Sequence, residues 1–114
     1  MPLVLTPEML ACAYDYLACQ DPFKGWNLPH SEDVKFSVSR KRDRYAHYQM
    51  IGGVHHIVVS KLFVGRHELL LSTLAHEMTH LHQEQCCLPT SHDVAFHKFA
   101  DKICRIHEFD RLIF

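Results

Sequence analysis

With 114 residues the chain is about one domain long, enough to bury a single modest core. Hydrophobic residues at 47% and charged residues at 22% exclude a disordered or fibrous chain, and a net charge of -1 excludes a surface that traps polyanions as a whole, leaving room for a local basic patch. The opening MPLVLTPEML lacks the basic and long apolar regions of a secretory signal, and no apolar run nears the ~18 residues of a membrane span, so a cytoplasmic protein with no membrane partner is expected.

Thr6 as N-cap, Pro7 at the first helical position and Glu8 in the first turn open a helix whose apolar positions Leu10, Ala13, Tyr14 and Leu17 recur at helical steps, ending near Gln20. DPFKGWNLPHSED follows as a surface connection with Phe23 and Trp26 packed back on the core. VKFSVS (34 to 39), RYAHYQM (44 to 50) and VHHIVVS (54 to 60), separated by RKRD and IGG, predict three antiparallel strands. Both faces of VHHIVVS are apolar enough that it is expected to be covered on each side. Leu70, Leu71, Leu74, Ala75, Met78 and Leu81 predict a second helix over about 68 to 85, and Thr90 with Asp93 resembles a capping box that opens a last helix through Phe96, Phe99, Ile103 and Ile106. The fold class is therefore α+β in a single domain, 1 to 114. The five cysteines, Cys12, Cys19, Cys86, Cys87 and Cys104, are odd in number and form no C-x-x-C pair. They read as core or half-buried thiols, not as a disulfide framework or zinc ribbon.

The second helix carries H-E-x-x-H. The chain's 11 histidines make an accidental match a real risk, roughly a 0.05 chance from its own composition, so context has to decide. On a helix, positions i and i+4 are ~40° out of register and ~6 Å apart along the axis, so His76 and His80 share a face and can converge on one ion, with Glu77 beside it as a proton acceptor for water. Catalytic zinc needs a third protein ligand and an open position. The metzincin extension would need Gly and His at 83 and 86, where the chain has Gln83 and Cys86. His92, at the mouth of the last helix, suits the third place, with His97, Asp101 and Glu108 as rivals. His30, His47, His67, His82 and His107 are assigned no chemistry.

ELLLSTLAHEMTHLHQ followed by SHDVAFHKF resembles the SprT-like (Spartan-like) metallopeptidases, in which H-E-x-x-H is followed by a second helix opening with H-G-x-x-F or similar. VHHIVVSKLFVGRHELLLSTLAHEMTH is similar to that family's strand, linker and active-site helix. The resemblance runs over roughly residues 34 to 104 and covers the catalytic core, without the cysteine-rich ribbon that often follows it. It implies a zincin-like domain with Zn2+ held by His76, His80 and His92, Glu77 as catalytic acid/base, and a protein or peptide substrate, in some members one bound to DNA. Asp93 stands where the family commonly has glycine and is expected either to crowd the site or to orient His92.

SRKRDR offers Arg40, Lys41, Arg42 and Arg44 as possible DNA contacts on what otherwise reads as a solvated hairpin tip. An edge strand, VHHIVVS or RYAHYQM, is expected to hold substrate by strand addition, with Tyr45, Tyr48 or His56 near the oxyanion. Whether HEFDRLIF covers the cleft is open at this level. The alternative to a peptidase is a non-catalytic domain stapled by the same ion, binding DNA or a protein partner.

Overall fold

Thr6 does cap the first helix: its Oγ1 accepts from Met9 N at 3.1 Å, and α1 spans Pro7–Ala18, burying Leu10, Tyr14 and Leu17. The computed structural model describes residues 4–42, 44–62 and 67–114. Asp43 of the basic loop and residues 63–66, in the linker through which the family resemblance runs, lie outside them. The connection after α1 folds back as expected, with Phe23 fully buried and the Tyr14 hydroxyl donating to Pro29 O at 2.6 Å.

Strands β1 (Val34–Ser39), β2 (Ala46–Ile51) and β3 (Val54–Ser60) form a sheet in the order β1-β3-β2. The all-antiparallel expectation is corrected here. β2 and β3 are an antiparallel hairpin, but β1 runs parallel to β3, pairing Val34 with His55 and Ser39 with Ser60. Two physical causes explain the order. The turn between β2 and β3 has Gly52 and Gly53 at φ +57° and +78°, the two left-handed residues that a tight hairpin needs, whereas SRKRDR has no glycine to make one. Second, VHHIVVS is the most apolar strand and takes the centre, where both of its edges are paired. The 40–45 connection is therefore no hairpin tip. It passes over the end of β3, with Ser60 N donating to Tyr45 O at 2.7 Å and Ser60 Oγ donating to Lys41 O at 2.8 Å.

Ile57 and Val59 of β3 are fully buried, while His56 and Val58 on its other face are only half-buried, so the second face is more open than its composition suggests. The core joins Leu10, Leu17, Phe36, Ile57, Val59 and Ile103 to one side of α2 (His67–Gln85), chiefly Leu74, Met78 and Leu81. α3 (Val94–His107) starts one turn later than the Thr90 box implied: Asp93 is its N-cap, accepting from Phe96 N at 3.0 Å. Of the cysteines only Cys104 is buried, and the other four are exposed, contrary to the expectation of core thiols. Among the described residues no helix is long and apolar enough to cross a membrane.

Candidate metal centre

α2 is buried nearly all round between Ser72 and Gln83, so the polar side chains it carries there need partners. Thr79 finds one in its own helix, its hydroxyl donating to Ala75 O at 2.9 Å. His76 and His80 find theirs across the gap to α3. Their Nε2 atoms lie 3.2 Å apart, and His92 Nε2 is 3.1 Å from His76 and 3.2 Å from His80. The three rings thus form a nearly equilateral triangle of nitrogens, a group compact enough to hold one metal ion.

The outer nitrogens determine what the triangle can do. His76 Nδ1 donates to the Phe114 main-chain oxygen at 2.8 Å, and His80 Nδ1 donates to Gln83 Oε1 at 2.8 Å. Gln83 cannot be turned round, because its Nε2 donates to Ser91 O at 3.1 Å. A neutral imidazole has one proton, and in both residues it is at Nδ1, so both Nε2 atoms present lone pairs inward. Three nitrogens with at least two lone pairs and at most one proton between them cannot satisfy one another by hydrogen bonds, whereas one cation can satisfy all three. Burial holds His76 and His80 in this neutral state. It pushes His76 down to about 4, against a raising bond from Phe114 and with His80, His92 and Arg111 adding to the depression; burial likewise lowers His80.

His92 reaches the cluster because of how α2 ends. Cys87, at φ +59°, occupies the left-handed position, with Leu88 N donating to Gln83 O at 2.8 Å and Cys87 N to Glu84 O at 3.0 Å. The chain reverses there and Asp93 restarts it as α3, leaving His92 just before the cap. Asp93 neither crowds the site nor bonds His92. The pKa of its carboxyl is lowered, chiefly by the Phe96 N–H. Phe96 supplies the floor, its ring 4.7–5.0 Å from all three imidazoles and nearly parallel to that of His80.

The rival ligands are turned elsewhere. Arg111 donates to Asp101 Oδ1 at 2.7 Å and to His97 Nδ1 at 2.6 Å, and Glu108 is exposed beyond the end of α3. Glu77, at the next position, is 6% exposed. It lines two cavities that also include His76: one of about 220 Å³, with His80, His92, Tyr48 and Arg44, and one of about 190 Å³, closed by Ile113 and Phe114. The tail therefore does lie against the cleft. Burial raises the Glu77 carboxyl to about 8, with the Arg44 charge opposing the rise. Arg44 lines the larger of these cavities, although it is exposed like Arg40, Lys41 and Arg42. Of the oxyanion candidates, Tyr48 lines the larger cavity and shares a hydrogen bond between its hydroxyl and His55 Nδ1 at 2.5 Å, Tyr45 lines the smaller one, and His56 lines neither.

Gln83, Phe96 and the Phe114 oxygen were missed at the level of sequence. Gln83 had a readable signal, three positions after His80 on the same helix face, and Phe96 was read only as core; nothing local marks Phe114. No protein-family model, curated protein or solved structure matches the chain.

Proposed function

We propose that the protein is a zinc-dependent metallopeptidase with a zincin-like, SprT-like arrangement, in which His76, His80 and His92 hold the ion and Glu77 is the catalytic acid/base. The observation that carries this reading is the inward-facing Nε2 triangle with a buried carboxylate on the wall of the same cavity. Nitrogens ~2.0–2.1 Å from a tetrahedral ion would stand roughly 3.3–3.4 Å apart; the observed 3.1–3.2 Å is close to that spacing, and the three histidines line the same cavity as Glu77. When bound, zinc supplies Lewis acidity for a water molecule and for a scissile carbonyl.

Glu77 takes the proton from the attacking water and returns it to the leaving amine. Arg44 faces that carboxylate and limits how far its pKa rises. Of the two strands considered for substrate addition, β2 keeps an unpaired edge, whereas β3 is paired on both. Gln83 and the Phe114 oxygen orient the imidazoles. The second reading, an ion that only ties α2 to the start of α3, draws support from His92 lying between the two helices.

Glu77→Gln distinguishes them. The peptidase reading expects the variant to retain one zinc per chain and lose at least ~100-fold in hydrolysis of casein or of DNA-bound protein. Zinc bound with equal stoichiometry and no cleavage by the unmutated chain leaves only the staple.

A further inference from the structure

In the hairpin of β2 and β3, Tyr48 is paired with Ile57 and Met50 with His55, so Tyr48 and His55 are diagonal neighbours on the face that Ile57 buries against the helices. Their rings are 5.8 Å apart, and the Tyr48 hydroxyl lies 2.5 Å from His55 Nδ1. Only one proton fits between those two atoms. If it belongs to the phenol, Tyr48 has nothing left to give. If it belongs to the imidazole, the phenol oxygen accepts from His55 and its own proton is free to point elsewhere. Tyr48 lines the 220 Å³ cavity together with Glu77, His76, His80 and His92, so that proton has the candidate site within the same space. Burial, with the Glu84 charge adding to it, pushes the Tyr48 phenol up to about 12, and the hydroxyl therefore keeps its proton through the neutral range.

We propose that Tyr48 donates a hydrogen bond to the carbonyl oxygen under attack, and that His55 is the positioning residue which, by donating from Nδ1, turns the phenol proton into the cavity. The proposal rests on the peptidase reading and supplies a donor that reading lacks. When water adds to an amide carbonyl, negative charge gathers on the carbonyl oxygen while the water's proton passes to the base, and a carboxylate taking up that proton offers none to the oxygen. A second group is needed on another wall. Glu77 comes from α2 and Tyr48 from β2, so a peptide carbonyl in the cavity lies between them. Tyr48 gives up no proton in this step: its hydrogen bond strengthens as charge builds and weakens as the carbonyl re-forms. Thr90 is a second hydroxyl on the same wall, but it is carried by an exposed stretch, whereas the phenol is held by an imidazole on the neighbouring strand. A bond that only ties β2 to β3 would be indifferent to which partner gives the proton.

The test compares zinc-loaded unmutated protein with Tyr48→Phe, His55→Ala and His55→Gln, using a panel of fluorogenic peptides and phosphinic peptides of the same sequences, whose tetrahedral anion stands in for the carbonyl under attack. Tyr48→Phe is expected to lower kcat ~100-fold with KM within about twofold and zinc content unchanged, and to loosen the phosphinic peptide by at least ~10-fold. His55→Ala should lower kcat ~10-fold, and His55→Gln, whose amide can still donate to the phenol oxygen, should recover most of it. In the phosphinic complex the 15N signals of the His55 ring should show the proton on Nδ1. Unchanged kcat and unchanged phosphinic affinity in Tyr48→Phe overturn the proposal while leaving the peptidase reading intact. So does a Tyr48→Phe protein that loses zinc and activity together, which makes the pair a structural tie. A His55 Nδ1 without a proton in the complex removes the positioning role. If the unmutated protein cleaves nothing, the peptidase reading falls and the phosphinic arm alone decides: looser binding in Tyr48→Phe keeps the oxyanion donor, and equal or absent binding removes it.

Discussion

His80 and His82 are two residues apart on α2 and equally buried, each 9% exposed, yet their rings have opposite chemistry. His80 gives its proton to Gln83 through Nδ1 and turns a lone pair toward two other imidazoles. His82 lies flat on Trp26, with centroids 4.2 Å apart, and its Nδ1 accepts from Gln85 Nε2 at 3.0 Å, so its proton is on Nε2 and no second imidazole meets its lone pair. Burial depresses both pKa values. A sunken, weakly basic histidine is therefore no sign of a ligand; the signs are an acceptor on the outer nitrogen and converging lone pairs on the inner one.

The largest expected effect breaks one side of this contrast: His80→Ala should remove the one zinc ion that the cluster is proposed to hold, read as metal content after dialysis in excess zinc. Next, Gln83→Ala should weaken zinc binding by ~10–100-fold in competition with a chelating dye, and Gln83→Glu, which still accepts from His80, should recover part of it. An unchanged affinity would mean that the tautomer argument is wrong. Third, the metal-stripped protein should lose about 2 kcal/mol of stability to acid. The folded pKa of His76, about 4, lies below its ordinary 6.5, so the unfolded chain takes up the proton first. The stability is present above pH 6.5 and is lost as pH falls toward 4, which urea midpoints across that window would record, with His76→Ala giving the flattest profile. The smallest effect is on the other side: His82→Ala should cost about 1 kcal/mol through the lost stack on Trp26, with zinc content unchanged.

What could be read from the chain was what neighbours in sequence determine. Thr6 and Pro7 announced α1, and the spacing of His76 and His80 put them on one face, because both are matters of a single helical turn. The sheet order was not legible in this way. IGG carries the glycines of a tight turn and RKRD does not, but nothing local says that β1 leaves its neighbour β2 to join β3. Thr90 and Asp93 both carry side chains that can cap a helix, and the selection of Asp93 depends on where α3 must start to bury Phe96. Arg111 removes His97 and Asp101 from contention from beyond the end of α3, and the Phe114 oxygen reaches His76 from 38 residues away.

The place of β1, on the far side of a hairpin that comes later in the chain, also bears on the order of assembly. The two glycines allow β2 and β3 to zip from a tight turn, and α2 grows from adjacent residues, so neither needs much loop closure. β1 has nothing to pair with until β3 exists, and it then draws the basic connection across that strand's end. In refolding, the two helix-borne imidazoles and their glutamate are expected to be aligned early, and the arginine that faces the carboxylate to arrive with the slowest phase.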